Sequence, residues 1–458
     1  MFHFNTLIAH NSSVLRILIT PKLKLIINMS SSCQNKRKVI DGDNLEPTKL
    51  KKRRNIIDID RGDSDYYFEH GLRKVYPYLF TFYAFCKGRW IGETIFDVYQ
   101  REFRAIDKQK LLDRFAKGYI KVDDETVSPD YILKDNDLIT GIVHRHEMPV
   151  IGLPLKIVHE DDNVLVLDKP PSLPVHSCGR FHLNSVSTIL RKEHGIEQFH
   201  ICHRLDRLTS GLVITTKNRF WARKVIDQIT QRLVEKEYIS KVEGQFPEEE
   251  ITCDKPLSTL NHKVGLQVID EANGKDALTI FKRISTDGKT SLVQCRPRTG
   301  RTHQIRVHLQ YLGYPIVNDP LYNCDSFGPN KGKGGDFGEG TLDDLANRVY
   351  EKHQYLRAFD SDDYIKMEPL SKEEIEKRHE EINQLSDSVN KAVTEEWRDY
   401  MKSKPYDASK QTFHDDCDDC KAQKIDPLPS ELLIYLHCVR YKGVDFDFKT
   451  ELPFWARD

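Results

Sequence analysis

Two short apolar runs constrain this chain most: Val164-Leu165-Val166-Leu167 and Leu212-Val213-Ile214-Thr215-Thr216. Each is too short for a helix and consists of apolar or β-branched residues, so each reads as a strand buried in a sheet. Lys169-Pro170-Pro171 closes the first, because proline ends strand pairing. Phe220 to Leu233 then predicts a helix, and Glu237-Tyr238-Ile239-Ser240-Lys241-Val242 a strand with alternating faces. Residues 155 to about 313 therefore read as one mixed α/β unit.

The flanks have other patterns. Ile95, Val98, Phe103, Ile106, Leu111, Leu112 and Phe115 recur at helical spacing, and after Gly118 short strands are expected at Tyr119–Val122 and Leu138–Thr140. Arg101, Arg104, Lys108, Lys110, Arg114 and Lys117 sit on this stretch. Residues 70–147 thus read as a small RNA-docking module, although a helix pair with an ordinary solvated face has the same pattern. Residues 323–425 read as an insertion, opening with a Gly/Lys/Asn-rich loop from Phe327 to Gly340. A long helix is expected after it, with Ser371 and Glu374 as a capping box and Ile375, Ile382, Leu385, Val389, Val393 and Trp397 on one packing stripe. Strand-like sequence returns at Leu432–His437.

Residues 1–65 read as a disordered basic segment. The first 28 contain no Asp or Glu but carry Arg16, Lys22 and Lys24, as a mitochondrial presequence would; the alternative is an upstream start, since Met29 opens a polar N-terminus. Lys36-Arg37-Lys38 and Lys51-Lys52-Arg53-Arg54 suit nuclear import or phosphate binding. Mitochondrial, cytoplasmic and nuclear locations all stay open.

A length of 458 residues implies two or three folded units, at about 150 residues each. No apolar run approaches the roughly 20 residues of a membrane helix, so no membrane partner is expected. The net charge of -1 conceals basic clusters around residues 36–54 and an acidic one at Asp415, Asp416, Asp418 and Asp419. Near-neutral totals do not exclude RNA binding, because a local basic face supplies phosphate contacts. Ten scattered cysteines suit a reducing compartment. Cys417 and Cys420, with His414 nearby and His437-Cys438 beyond, raise the question of zinc. Structural zinc wants four ligands, usually two such pairs, and one Cys-x-x-Cys stands here, so free thiols and no metal are expected.

Three stretches carry chemistry. In His203-Arg204-Leu205-Asp206-Arg207-Leu208-Thr209-Ser210-Gly211-Leu212, a carboxylate lies between two arginines in a turn that feeds a buried strand. Neighbouring cations favour the charged form of a carboxylate, which can act as nucleophile or base. Taken alone, the same pattern fits a structural ion pair. Arg298-Thr299-Gly300-Arg301-Thr302-His303-Gln304-Ile305-Arg306-Val307-His308 suggests a turn entering a helix, with arginine forks able to hold phosphate or carboxylate. Lys236-Glu237-Tyr238 places a tyrosine on a strand, ordinarily a core position.

In this order the three stretches resemble the RluA-type family of RNA pseudouridine synthases, which includes the eukaryotic pseudouridylate synthase domain-containing proteins. Asp168-Lys169-Pro170 with Leu173-Pro174-Val175-His176, Gly274-Lys275 and Gly313-Tyr314-Pro315-Ile316 agree with further family elements. The resemblance covers about residues 155–322 and resumes at 426–458; a weaker one links 80–147 to a ribosomal-protein-type RNA-binding domain. Ser172 departs from the family's usual glycine.

The resemblance implies an α+β fold: a mixed, mainly antiparallel sheet in a catalytic domain at 150–458, preceded by a small α/β RNA-binding domain. It implies an isomerase acting on uridine in RNA, transfer RNA first and messenger RNA second, without a cofactor or an obligate protein partner. Asp206 would be the catalytic aspartate, Arg306 would pair with it, and Tyr238 would stack on the target base. Arg204 would fill the gap left by the extruded uridine, and Ile305 or Leu205 would touch the base edge. Further RNA contacts are expected from Arg207, Lys169, Arg301 and His303, and from Arg104 and Lys108 in the first module. Two other classes fit the sequence less well. A non-catalytic RNA-binding module would not need Asp206, Tyr238 and Arg306 together. A zinc deaminase would need Pro-Cys-x-x-Cys, which the sequence lacks.

Overall fold

A computed structural model describes residues 62–102, 107–261, 265–352, 371–422, 426–427 and 429–457. The expected presequence, the basic clusters of 36–54 and Arg104 lie outside the described residues.

The chain opens with β1 (Tyr66–Glu69), β2 (Leu72–Val75) and β3 (Tyr78–Phe85), then α1 (Ile95–Glu102), α2 (Lys108–Ala116), β4 (Ile120–Val122), β5 (Glu125–Thr126), β6 (Leu138–Arg145) and β7 (Val150–Ile151). The helical spacing seen in the sequence buries Ile95, Val98, Leu111 and Phe115 in a core with Trp90 and Tyr99. Asp107 caps α2 by accepting from the backbone of Gln109 and Lys110. The helices lie with a four-stranded sheet, ordered β3-β6-β4-β5, while β1, β2 and β7 form a separate small sheet.

The next strands are β8 (Lys156–Glu160), β9 (Val164–Lys169), β10 (His200–Ile201), β11 (Ser210–Thr216), β12 (Glu235–Glu243) and β13 (Ile251–Asp254). After the hairpin β14 (Leu257–Asn261) and β15 (Leu266–Ile269) come β16 (Leu278–Thr286) and β17 (Thr290–Pro297). Helix α3 (Val186–Lys192) follows β9, α4 (Arg219–Thr230) follows β11, and α5 (Gln304–Leu312) follows β17. The last strands are β18 (Leu436–Lys442) and β19 (Asp447–Lys449). One ten-stranded sheet runs β13-β16-β17-β12-β18-β11-β9-β8, with β10 on β11 and β19 on β18. All pairings are antiparallel except β11 with β18. The two apolar runs are central: β9 buries Val164 to Leu167, and every residue of β11 is buried.

Strand β18 enters after the insertion and fills the gap between β11 and β12. The strand expected from Leu432 begins only at Leu436, because Leu432 ends a short helical turn and Leu433 and Ile434 pack against the body. The insertion holds α6 (Leu342–Lys352), α7 (Lys372–Ala392) and α8 (Glu395–Lys402). The single stripe expected through Trp397 is interrupted, since Thr394 caps a new helix through Trp397 N. Trp397 donates its indole N–H to Gly152 O at 2.8 Å and packs with Phe68, Leu72 and Ile151, which sets the insertion against β1, β2 and β7. Among the described residues no helix is long and apolar enough to cross a membrane.

Candidate active site

Asp206 lies in the turn between β10 and β11, where the Thr209 N–H donates to its carbonyl at 3.1 Å. The turn is held against the sheet by register. Lys169, Gly211, Cys438, Tyr238 and Cys295 form one row across β9, β11, β18, β12 and β17. Gly211 has φ 109°, and a Cβ there would lie 2.3 Å from Cys438 O. Only glycine lets β18 approach the Asp206 turn this closely. The row also brings Tyr238, distant in sequence, level with the start of β11.

The Asp206 carboxylate is a quarter exposed and faces two groups from the start of α5. Its Oδ2 is 3.8 Å from His303 Nε2 and 4.0 Å from Arg306 Nη1. Gln304 fixes this entry. Its Oε1 accepts from Thr299 Oγ1 at 2.7 Å and from Arg301 N at 3.0 Å, while Nε2 donates to Leu278 O and Thr279 Oγ1. His303 itself has φ 55°, a left-handed conformation that aims its ring back at the Asp206 turn.

Arg306, expected to pair with Asp206, stands 4.0 Å from it, and its hydrogen bonds go to Asp319. Arg306 Nε donates to Asp319 Oδ2 at 2.6 Å and Nη2 to Oδ1 at 2.8 Å, a two-point bridge. Asp319 also accepts from the N–H groups of Leu321 and Tyr322. Burial disfavours charge on both partners, yet their attraction outweighs it, raising the pKa of Arg306 and lowering that of Asp319. The guanidinium is therefore locked on one side and presents Nη1 to Asp206 on the other.

A second chain of side chains leads towards the same carboxylate through His303, 3.8 Å away. Tyr322 accepts the Gln267 N–H at 3.0 Å, and its hydroxyl lies 2.8 Å from His303 Nδ1. Burial raises the Tyr322 pKa. Burial and then Arg306 push His303 down to about 4, which favours its neutral ring, with Nδ1 paired to the Tyr322 hydroxyl and Nε2 facing Asp206.

Lys169 was expected to touch RNA, and the structure corrects this. It is fully buried, with Nζ donating to the carbonyls of Pro170, Leu173 and Arg207. Burial pushes its pKa down to about 7, but three acceptors require three N–H donors, so the geometry holds the ammonium. Lys169 ties the strand end at β9 to the Asp206 turn and places a cation beneath it. Ser172 takes φ 65°, which explains why glycine suits this position; its Oγ accepts from Ile151 N and donates to Pro171 O.

The other expected contacts separate. Arg204 is exposed at the turn, and Arg207 is half-buried over the Phe181 ring at 5.5 Å. Arg301 donates Nε to Asp276 O. Lys108 is exposed at the start of α2 in the first module. Tyr238 keeps 9% exposure, with its hydroxyl 3.3 Å from that of Tyr441. Leu205 and Ile305 are both buried. His308 bonds Thr279 Oγ1 and Lys255 O and belongs to the core. Asp319 and Tyr322 were missed in the sequence, where Asn318-Asp319-Pro320 signals only a turn.

Residues 163–311 match the sequence profile described as RNA pseudouridylate synthase. The chain is 38% identical over 444 residues to the mouse (Mus musculus) protein named Pseudouridylate synthase RPUSD2, covering 93% of this chain and 80% of that one. It is 46% identical over 268 residues to the mitochondrial tRNA pseudouridine(32) synthase of Saccharomyces cerevisiae, covering 58% of each. It is 31% identical over 440 residues to the tRNA pseudouridine(31) synthase of the same yeast, covering 85% of this chain and 97% of that one. The extent of these matches, together with an antiparallel-rich sheet, shows that the chain belongs to the RNA pseudouridylate synthase family and is an isomerase.

Proposed function

We propose that this enzyme converts uridine to pseudouridine in transfer RNA, with Asp206 as the residue that acts on the ribose. The observation that carries the proposal is the convergence on one carboxylate of the His303 ring and a guanidinium locked from behind by Asp319. The reaction breaks the C1′–N1 bond, turns the detached uracil and joins C1′ to C5, with the C5 proton lost to solvent and N1 left carrying a proton. Positive charge grows on the sugar as the first bond breaks, and an adjacent carboxylate stabilises it or attacks it. Asp206 either adds to C1′ or removes a neighbouring ribose proton. In both routes Arg306 and His303 fix the carboxylate without neutralising it by direct contact. Tyr238 stacks on the target base, as the family resemblance implies, and exposed Arg204 enters the stack as the uridine leaves it.

The names of the two yeast relatives support transfer RNA as substrate, with messenger RNA second. The acid-free first 28 residues and the mitochondrial relative support a mitochondrial pool of the enzyme. The test uses transfer RNA and messenger RNA labelled with tritium at uracil C5. Release of tritium from transfer RNA is expected; release from neither pool would favour a binding module that keeps the fold without the chemistry.

A further inference from the structure

The acidic Cys-x-x-Cys of the insertion is not explained by the isomerase site. The structure supplies what the sequence lacked, a second pair of donors. Strand β6 ends at Arg145, and His144 and His146, two apart, bring their rings to the same place as Cys417 and Cys420. One donor atom from each residue lies within 4.8 Å of all the others. We propose that His144, His146, Cys417 and Cys420 form a structural zinc site that fastens the insertion to the first module.

The spacings among His144, His146 and Cys420 are those of three ligands on one tetrahedral ion, with Cys417 Sγ within 4.8 Å of each. Zinc–nitrogen bonds of about 2.0–2.1 Å and zinc–sulfur bonds of about 2.3 Å give nitrogen–nitrogen edges of about 3.3 Å and nitrogen–sulfur edges of about 3.5 Å. His144 Nδ1 and His146 Nε2 are 3.3 Å apart, and they lie 3.2 and 3.3 Å from Cys420 Sγ. Two thiolates and two neutral imidazoles balance a divalent charge, and a tetrahedral set of this softness selects zinc.

The surroundings orient the donors as a metal site needs. Thr412 Oγ1 donates to Pro77 O, so it accepts from His144 Nε2–H at 2.8 Å. That fixes the proton on Nε2 and leaves the Nδ1 lone pair aimed at the cluster. The His414 N–H points at Cys420 Sγ at 3.4 Å, a donor that steadies a thiolate. Around the turn, Asp418 pairs with Lys110, Asp416 with Lys117, and Asp419 with Arg180. The acidic run is thus a clasp. It seats the cysteine turn on α2 and on the loop before α3, and the ion closes it. His437, considered with these cysteines in the sequence, instead bonds Ser210 and Thr450.

Untagged full-length protein, reduced, incubated with zinc sulfate and desalted, is expected to retain about one zinc per chain by mass spectrometry. Reloading with cobalt should give the intense visible bands of a tetrahedral ion and a thiolate charge-transfer band in the near ultraviolet. Cys420→Ser should lower retained zinc by at least ~10-fold, whereas Asp426→Asn, in the separate Glu69, His70 and Asp426 cluster, should leave it unchanged. Wild-type protein that retains no zinc, or cobalt protein without the thiolate band, overturns the proposal even if the serine variant does not fold. So does one zinc retained undiminished by Cys420→Ser.

Discussion

Replacing Asp319 by asparagine removes one charge from a pair sealed in the core beside Asp206. The Asp319 side chain is fully buried and that of Arg306 is 4% exposed, so the guanidinium left behind cannot be solvated where it stands. Breaking one side of such a pair costs about 3–5 kcal/mol. Asparagine keeps an oxygen for the Leu321 and Tyr322 N–H groups but sets its NH2 against the Arg306 Nε–H, so the cost combines the lost charge with one lost hydrogen bond. Arg306 then has Asp206 as its nearest carboxylate, 4.0 Å away. Closing that gap makes a charge-assisted bond of about 1.5–3 kcal/mol on the reacting group. The bond must break before Asp206 can act, which slows the chemical step by about 10- to 100-fold. Urea unfolding and single-turnover tritium release from labelled transfer RNA read the two effects separately. The double change Arg306→Gln with Asp319→Asn should recover part of the stability but not the rate. A single Asp319→Asn variant with the wild-type urea midpoint and wild-type rate would refute the reasoning.

Gly211→Ala should destabilise by at least ~2 kcal/mol, because its φ of 109° and the 2.3 Å approach of Cys438 O admit no side chain; a wild-type urea midpoint would contradict this. Lys169→Met leaves three buried carbonyls without their donor and should cost about 3 kcal/mol or more, with loss of activity as the Asp206 turn loosens. Here the check is circular dichroism during urea unfolding, alongside tritium release. Burial foremost pushes His203 down to about 3 and His303 and His437 to about 4, from an ordinary 6.5. Between pH 6.5 and about 4 the unfolded chain therefore binds more protons than the folded one, so this contribution to stability is complete above 6.5 and lost as pH falls. Equal urea midpoints at pH 7 and pH 5 would contradict that assignment.

Much of the architecture was legible because strand and helix signals are local. The apolar runs became β9 and β11, and the helix and strand expected at 220–233 and 237–242 appear as α4 and β12. The motif around Asp206 was legible for the same reason, as a turn feeding a buried strand. What the sequence hid depends on long-range pairing. Strand β18 reaches the middle of the sheet from beyond the insertion, and no local pattern says that Cys438 will sit between Gly211 and Tyr238. Arg306 has two carboxylates within reach, and only the fold shows that Asp319 takes the close, two-point contact. Lys169 was expected to contact RNA; its burial follows from three carbonyls turned inward at the β9 end. His144 and His146 gave no signal, since they lie more than 270 residues from the cysteines they meet.

The central claim is that the Asp206 carboxylate does the chemistry. Asp206→Asn keeps the volume of the side chain and removes only its charge, so the fold and RNA affinity should survive. Single-turnover tritium release from C5-labelled transfer RNA is expected to fall by at least ~10²-fold in this variant while binding of the same RNA stays within a few-fold of wild type. Release at the wild-type rate from the folded variant would contradict the account and move the reaction to another residue.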